Sequence, residues 1–322
     1  MPDLLVIGAT GLTGATTAVE AVRRGWSVRA LVRSADVEPL VAAGVEVVRG
    51  DVADRSGLSA AMAGVDAVVN CAALLGGSWV RATPQQMWQT NHDGALNVLD
   101  AATAAGVRRC VHLDSNSIWR SDVTMTECGP MLLPGPNDSP YVQAKRAAYA
   151  GAVHRVTRGQ DIVFVTPGAI YGPGLFPERV LDPTSFTRVA LRGIRGELDS
   201  FVSFPMAWTF APDLADVILA AVSAGQRGQR FLAMGRPEDV SSLAVFCNEA
   251  AAIAGVGFRV RDVDPNAEDA PDVGSMRQFA IRRYAVPLMD DSVTRALLSV
   301  VPTARHDALR RTVEWLREHG HL

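Results

Sequence analysis

The chain has 322 residues, of which 48% are apolar and 20% charged, far from the low-hydrophobicity, high-charge regime in which chains stay unfolded. With 31 Lys and Arg against 34 Asp and Glu the formal charge is −3, so no broad attraction to nucleic acid or to an anionic membrane is expected. The four cysteines, Cys71, Cys110, Cys128 and Cys247, form no CxxC pair and have no ligand-like spacing to the six histidines, which argues against a metal site or a disulfide framework.

Asp3 and Gly8 interrupt the first apolar run, so it does not read as a signal peptide, and no segment reaches the ~18 to 20 apolar residues of a membrane span. A reduced, cytoplasmic protein is the expectation. Leu4–Ile7 predicts a buried strand and Gly11–Arg24 a helix, followed by a strand at Ser27–Val32, a short helix at Asp36–Ala43, a strand at Val45–Arg49 and a helix at Arg55–Ala63. Asp66–Asn70 is the next strand, Pro84–Ala105 a long helix, Arg108–Leu113 a strand, Tyr141–Thr157 a helix and Asp161–Thr166 a strand. Strands this apolar, separated by crossover-length helices, predict an α/β fold with a doubly wound parallel Rossmann sheet.

After Pro167 the rhythm breaks into the Gly/Pro-rich stretch PGAIYGPGLFPERVLDP. A helix at Asp213–Ala224 and a strand at Arg230–Ala233 are able to return to the sheet, and a last helix lies near Ala308–Glu318. The expected division is a dinucleotide-binding domain over 1–175 with about 211–235, and a smaller substrate-binding lobe from 176–210 and 236–322.

The first strand runs into Gly8-Ala9-Thr10-Gly11-Leu12-Thr13-Gly14 and then a helix. Glycines there permit a tight turn and close backbone approach to a pyrophosphate, while the helix N-terminus offers free N–H groups to the anion. Nucleotide choice is read at the end of the second strand, where Arg33 can pair with a ribose 2′-phosphate and Ser34 can add a hydrogen bond. NADP is therefore favoured, with NAD as the alternative in which Arg33 is a solvated surface charge. Asp36, further on, has the look of a helix cap.

The GxxGxxG spacing resembles the extended branch of the short-chain dehydrogenase/reductase superfamily, the group that includes the NAD-dependent epimerases and dehydratases. That resemblance implies that Asp51 and Val52 meet the adenine edge and that Asn70-Cys71-Ala72-Ala73 passes along the cofactor, with Cys71, Ala72 and Ala73 as contacts. Without the resemblance, Asp51 reads equally as a turn residue or cap.

Tyr141-Val142-Gln143-Ala144-Lys145 matches the superfamily's YxxxK, and the i, i+4 spacing on a helix sets both side chains on one face. A nearby ammonium favours the phenolate and is expected to lower the tyrosine's pKa. By resemblance, Ser115, four residues before Trp119, hydrogen-bonds the reacting oxygen, and is a better candidate than Ser117. Asn91 matches the asparagine that supports the lysine through hydrogen bonding and water. Pro167-Gly168-Ala169-Ile170-Tyr171-Gly172-Pro173-Gly174 is similar to the branch's P-G-x-x-Y-G-P-G, which places Pro167, Gly168 and Ile170 against the nicotinamide. Asp213-Leu214-Ala215-Asp216 likewise resembles its D-D-L-A-D helix start, with Pro212 in place of one acid.

Dehydratases of this group carry T-D-E where this chain has Ser115-Asn116-Ser117, so 4,6-dehydration is not expected. The stretch 201–210, rich in Phe and Trp, reads either as an apolar substrate pocket or as core, and Arg188, Arg192 and Arg195 either as a phosphate site or as a solvated face. The expected activity is hydride transfer between nicotinamide C4 and a ketone, aldehyde or secondary alcohol of a small apolar or aromatic substrate, with Tyr141 as general acid and base. A sugar-nucleotide epimerase with tightly bound NAD and a non-catalytic NADP sensor are the alternatives. A homodimer through the helices 84–105 and 141–157 is the expected assembly.

Overall fold

The computed structural model describes residues 3–33, 36–75, 82–120, 122–136, 138–271, 277, 280–281 and 289–322. The first apolar runs form strands β1 (Asp3–Ile7), β2 (Ser27–Val32), β3 (Glu46–Arg49), β4 (Ala67–Asn70), β5 (Arg109–Leu113) and β6 (Ile162–Pro167). Shorter strands follow, β7 (Ala169–Tyr171), β8 (Ser200–Val202), β9 (Trp208–Phe210), β10 (Arg230–Ala233) and β11 (Arg261–Val263). Seven of these make one sheet in the order β10-β6-β5-β4-β1-β2-β3, every pair parallel. The doubly wound Rossmann sheet expected from the apolar runs is thus the observed fold.

Helices α1 (Leu12–Arg23), α2 (Glu38–Ala42), α3 (Arg55–Ala61), α4 (Pro84–Trp88), α5 (Ala95–Ala104) and α6 (Pro140–Thr157) connect the strands. Two differ from their expected extent. The short helix at 36–43 contracts to α2, and the long helix at 84–105 is interrupted by a π-helical segment at Gln89–Gly94. That extra turn carries Asn91 inward.

Small residues let the layers approach. Ala15, Ala18 and Ala21 of α1 pack with Leu214, Val217 and Ile218 of α9 (Ala211–Ala224) on one face, and Leu58, Leu99, Ala102 and Ala152 from α3, α5 and α6 cover the other. α9 starts two residues before Asp213, with Pro212 in its first turn where a missing N–H costs nothing. Asp213 instead accepts hydrogen bonds from Thr303 N and Oγ1, both at 2.7 Å, which ties the C-terminal segment to this helix.

The chain then builds a second core from α7 (Pro177–Val180), α8 (Phe186–Ile194), α10 (Leu243–Ala254) and the helix Arg305–Glu318. Trp208 stacks on Phe246 at 3.8 Å between ring centroids, and Tyr171 meets Phe246 edge-on. This decides between the two readings of 201–210. Val202, Phe204, Trp208 and Phe210 are all buried and serve as core. Arg188, Arg192 and Arg195 bond Leu181 O, Glu197 and His321 O on the outside of that lobe, so they supply no phosphate site in the groove.

Candidate active site

The strand order reverses between β1 and β4, and at such a switch point an open parallel sheet leaves a crevice over its carboxyl ends. A groove of about 450 Å³ lies there. Gly8 takes φ +80°, and the turn closes with Gly11 N donating to Gly8 O at 3.0 Å. A Cβ on Gly14 would stand 2.3 Å from Gly8 O, so close packing of α1 on the turn requires glycine there. At Gly11 a Cβ would have only Gly8 O nearby, at 3.5 Å, and would project into open space. Gly11 is also the N-cap of α1 and supplies no side-chain cap, which leaves the first N–H groups free for an anion.

Gly8, Thr10, Gly11, Leu12, Thr13 and Gly14 all line the groove. So do Arg33, Asp51 and Val52 at one end, Cys71, Ala72 and Ala73 along its middle, and Pro167, Gly168 and Ile170 beside the reacting end. Arg33 faces Asp51 at 3.5 Å, both largely exposed, so the cation sits at the outer rim. Ser34 lies outside the described residues. Burial pushes the Cys71 thiol up to about 12, which keeps it neutral. A glycine cradle, an uncapped helix start and a rim arginine together fit a dinucleotide.

The reacting end is assembled from β5 and α6. Ser139 caps α6 by accepting from Val142 N, and the helix brings Tyr141 and Lys145 to the groove together with Ser115. Ser115 Oγ lies 2.8 Å from Ser117 Oγ, but of the two only Ser115 lines the groove. Burial raises the Tyr141 pKa, the neighbouring Ser115 hydroxyl opposes the rise, and the Asp114 charge adds to it. The expected lowering by an adjacent ammonium is therefore not seen. Lys145 spends its ammonium on Leu113 O at 2.9 Å, and burial takes its own pKa down to about 8.

Asn91 turns its side chain to the backbone of Leu74. Its Oδ1 accepts from Leu74 N and its Nδ2 donates to Leu74 O, both at 2.8 Å, so it pins the loop after β4 and does not itself line the groove. The amide thereby satisfies both backbone groups of half-buried Leu74.

Several groove residues escaped sequence reasoning. Arg179, Asp182, Thr184, Ser185 and Phe186 form a wall from the second lobe. Arg179 and Asp182 fall in the Gly/Pro-rich break and the other three just after it, within the 176–210 stretch assigned to the substrate-binding lobe, where no spacing singles them out. Asp114 also lines the groove; its one signal was an acid ending an apolar strand.

A family model described as NAD dependent epimerase/dehydratase family matches residues 4–233. Sterol demethylase protein B of Methylococcus capsulatus is 28% identical over 98% of both chains. A 4-hydroxy-2-methyl-3-oxo-4-farnesyl-3,4-dihydroquinoline-1-oxide ketoreductase of Stigmatella aurantiaca is 29% identical, over 96% of this chain and 84% of its own. A solved nucleoside-diphosphate-sugar epimerase from Pseudomonas aeruginosa shares the fold with a TM-score of 0.81 at 20% identity, covering 100% of this chain and 99% of its own. Glycine turn, parallel sheet and family match agree: the chain belongs to the NAD dependent epimerase/dehydratase family, the extended branch of the short-chain dehydrogenase/reductases.

Proposed function

We propose that the protein is an NAD(P)-dependent oxidoreductase that moves a hydride between nicotinamide C4 and the carbonyl carbon of an apolar ketone or the carbinol carbon of the matching alcohol. The observation that carries this reading is Tyr141 against Ser115 at the groove, with Lys145 held behind them and Asn116 and Ser117 where a dehydratase has two carboxylates. Elimination needs an additional acid and base that these two positions do not supply.

Gly8–Gly14 and the start of α1 would hold the pyrophosphate, Asp51 and Val52 the adenosine, and Arg33 a 2′-phosphate, which favours NADP. When bound, the nicotinamide supplies or accepts the hydride. Tyr141 gives its proton to the carbonyl oxygen in reduction and takes it back in oxidation. Ser115 donates a hydrogen bond to the same oxygen as charge develops there. Lys145, fixed by Leu113 O, holds a positive charge beneath the tyrosine's helix face.

Leu74, half-exposed Leu75 and Phe186 give the groove apolar surface, and the names of the sterol and farnesyl-quinoline relatives suit a substrate bound by such surface. The polar wall of Arg179 and Asp182 favours a second reading, a sugar-nucleotide epimerase. Assays of NADPH and NADH oxidation with 3-oxosteroids and long-chain 2-alkanones test the first reading, and interconversion of UDP-glucose and UDP-galactose tests the second. Ketone-dependent NADPH oxidation is expected. Epimerisation without ketone turnover would transfer the assignment, and tight NADPH binding with neither activity would make the protein a sensor.

A homodimer is proposed through α4, α5 and α6, where Trp88 and Val153 stand 40% and 37% exposed on a helical layer. Sedimentation equilibrium is expected to give twice the 34.3 kDa chain mass, and Val153→Glu a monomer. A monomeric wild-type protein would end this assembly.

A further inference from the structure

The proposed reaction uses Ser115, Tyr141 and Lys145 and leaves one buried acid in the same place without a task. Asp114 is 2% exposed. Its backbone continues the sheet, with Asp114 N donating to Val165 O at 3.1 Å. It stands between Leu113, whose carbonyl holds Lys145 Nζ, and Ser115, which meets Tyr141. By strand alternation its side chain shares a face with Cys110 and His112, the face that α6 covers. Thr166 of β6 and Arg230 of β10 stand on that same face.

This layer is unusually polar for the middle of a sheet–helix sandwich. Both carboxyl oxygens of Asp114 are enclosed, as are Thr166 Oγ1, Trp119 Nε1 and Arg230 Nη1, and none completes a hydrogen bond among the described residues. Thr166 and Trp119 come close enough to the carboxyl to favour its charged form, short of full hydrogen-bond geometry. Arg230 cannot swing away. Its guanidinium lies 3.3 Å from the Trp119 ring centroid, and it donates to Glu127 O at 2.9 Å and to Gly129 O at 3.2 Å. A carboxyl buried without hydrogen bonds is costly, and an ordinary structural aspartate would be bonded.

We infer that Asp114 is a positioning residue whose carboxylate, enclosed behind Ser115, keeps the Lys145 ammonium charged and holds the Tyr141 proton in place for transfer. The role rests on Tyr141 as the proton donor and acceptor. The charged and titratable groups facing the carboxyl are Tyr141, Lys145 and Tyr149 from α6 and Arg230 from β10. Asp114 favours the protonated forms of Tyr141 and Lys145, and Arg230 favours ionisation of Asp114. The protein thus carries, one residue from its reacting serine, an acid that is ionised by the pH at which the tyrosine titrates and then opposes loss of the tyrosine proton.

The test needs no substrate. Phenolate difference absorbance is followed against pH in the presence of saturating NADP+, and with four tyrosines in the chain the step missing from Tyr141→Phe is assigned to Tyr141. In Asp114→Asn that step is expected to move to lower pH by about half a unit or more, because a charge opposing ionisation has gone. Asp114→Ser, smaller and also neutral, is expected to move it the same way. A Tyr141 step that stays within about 0.2 unit in both variants overturns the proposal. Failure of both variants to show a cooperative thermal transition also overturns it, since the role claimed is electrostatic and not structural. Failure of the underlying reading is seen elsewhere, as turnover kept by Tyr141→Phe.

Discussion

Lys145 donates from Nζ to the carbonyl oxygen of Leu113 at 2.9 Å, so the helix that carries the tyrosine is latched to the last residue of the strand that carries the serine. That bond ties α6 to the end of β5, two residues before Ser115. Burial lowers the lysine to about 8, close enough to neutrality for the charge to depend on its neighbours.

Tyr141→Phe removes the transferable proton and keeps the ring. Ketone-dependent turnover is expected to fall by about 100-fold or more while the Kd for NADPH, read by fluorescence quenching, changes by less than about 3-fold. Lys145→Met is expected to lose turnover too. Near-normal rates in the tyrosine variant would remove the proton-transfer role.

Two glycines of one turn are expected to behave differently. Gly14→Ala places a Cβ 2.3 Å from Gly8 O, and should lower stability by about 2 kcal/mol as well as abolish nucleotide binding. Gly11→Ala meets only Gly8 O at 3.5 Å, with backbone at φ −82°, so its melting temperature should stay near wild type. Its NADPH affinity should still drop by about 10-fold, since the methyl fills the cradle, a loss of about 1.4 kcal/mol. Equal Tm losses in both would contradict the geometry.

In the proposed cofactor mode Arg33 is the cation that would meet a 2′-phosphate. Arg33→Ala is expected to weaken NADPH binding by about 10-fold or more and NADH binding by less than about 3-fold, measured by isothermal titration. The NADPH loss should shrink at high salt because the arginine is exposed. Equal effects on both cofactors would assign Arg33 to the surface, paired with Asp51.

Stability against pH reads Asp114 without reference to any activity. Burial raises its pKa from 3.8 to about 7, so between these values the folded chain holds a proton that the unfolded chain has released, and this contribution to stability is lost as pH rises. His112 acts in the opposite sense: burial takes it from 6.5 to about 3, and its contribution grows as pH rises across that window. Comparing Asp114→Asn with wild type at the same pH cancels the histidine. The Tm of the variant relative to wild type should therefore rise steadily from pH 4 to pH 7. A constant difference would mean that Asp114 stays ionised throughout.

The sequence alone determined the sheet. Apolar runs at Leu4–Ile7, Ser27–Val32 and Arg108–Leu113 are dictated by burial on both faces, and the glycines of residues 8–14 by the tight turn, both local constraints that leave a pattern in the chain. The Tyr141–Lys145 pair was legible because helical spacing is also local. Tertiary structure decided the rest. Only packing turned Phe204, Trp208 and Phe210 into core, brought Arg179 and Asp182 across to the groove, and turned the Asn91 amide to Leu74 rather than to Lys145. Whether a buried polar group faces a ligand or a backbone depends on which unpaired partners the fold brings to it, and those partners come from distant parts of the chain.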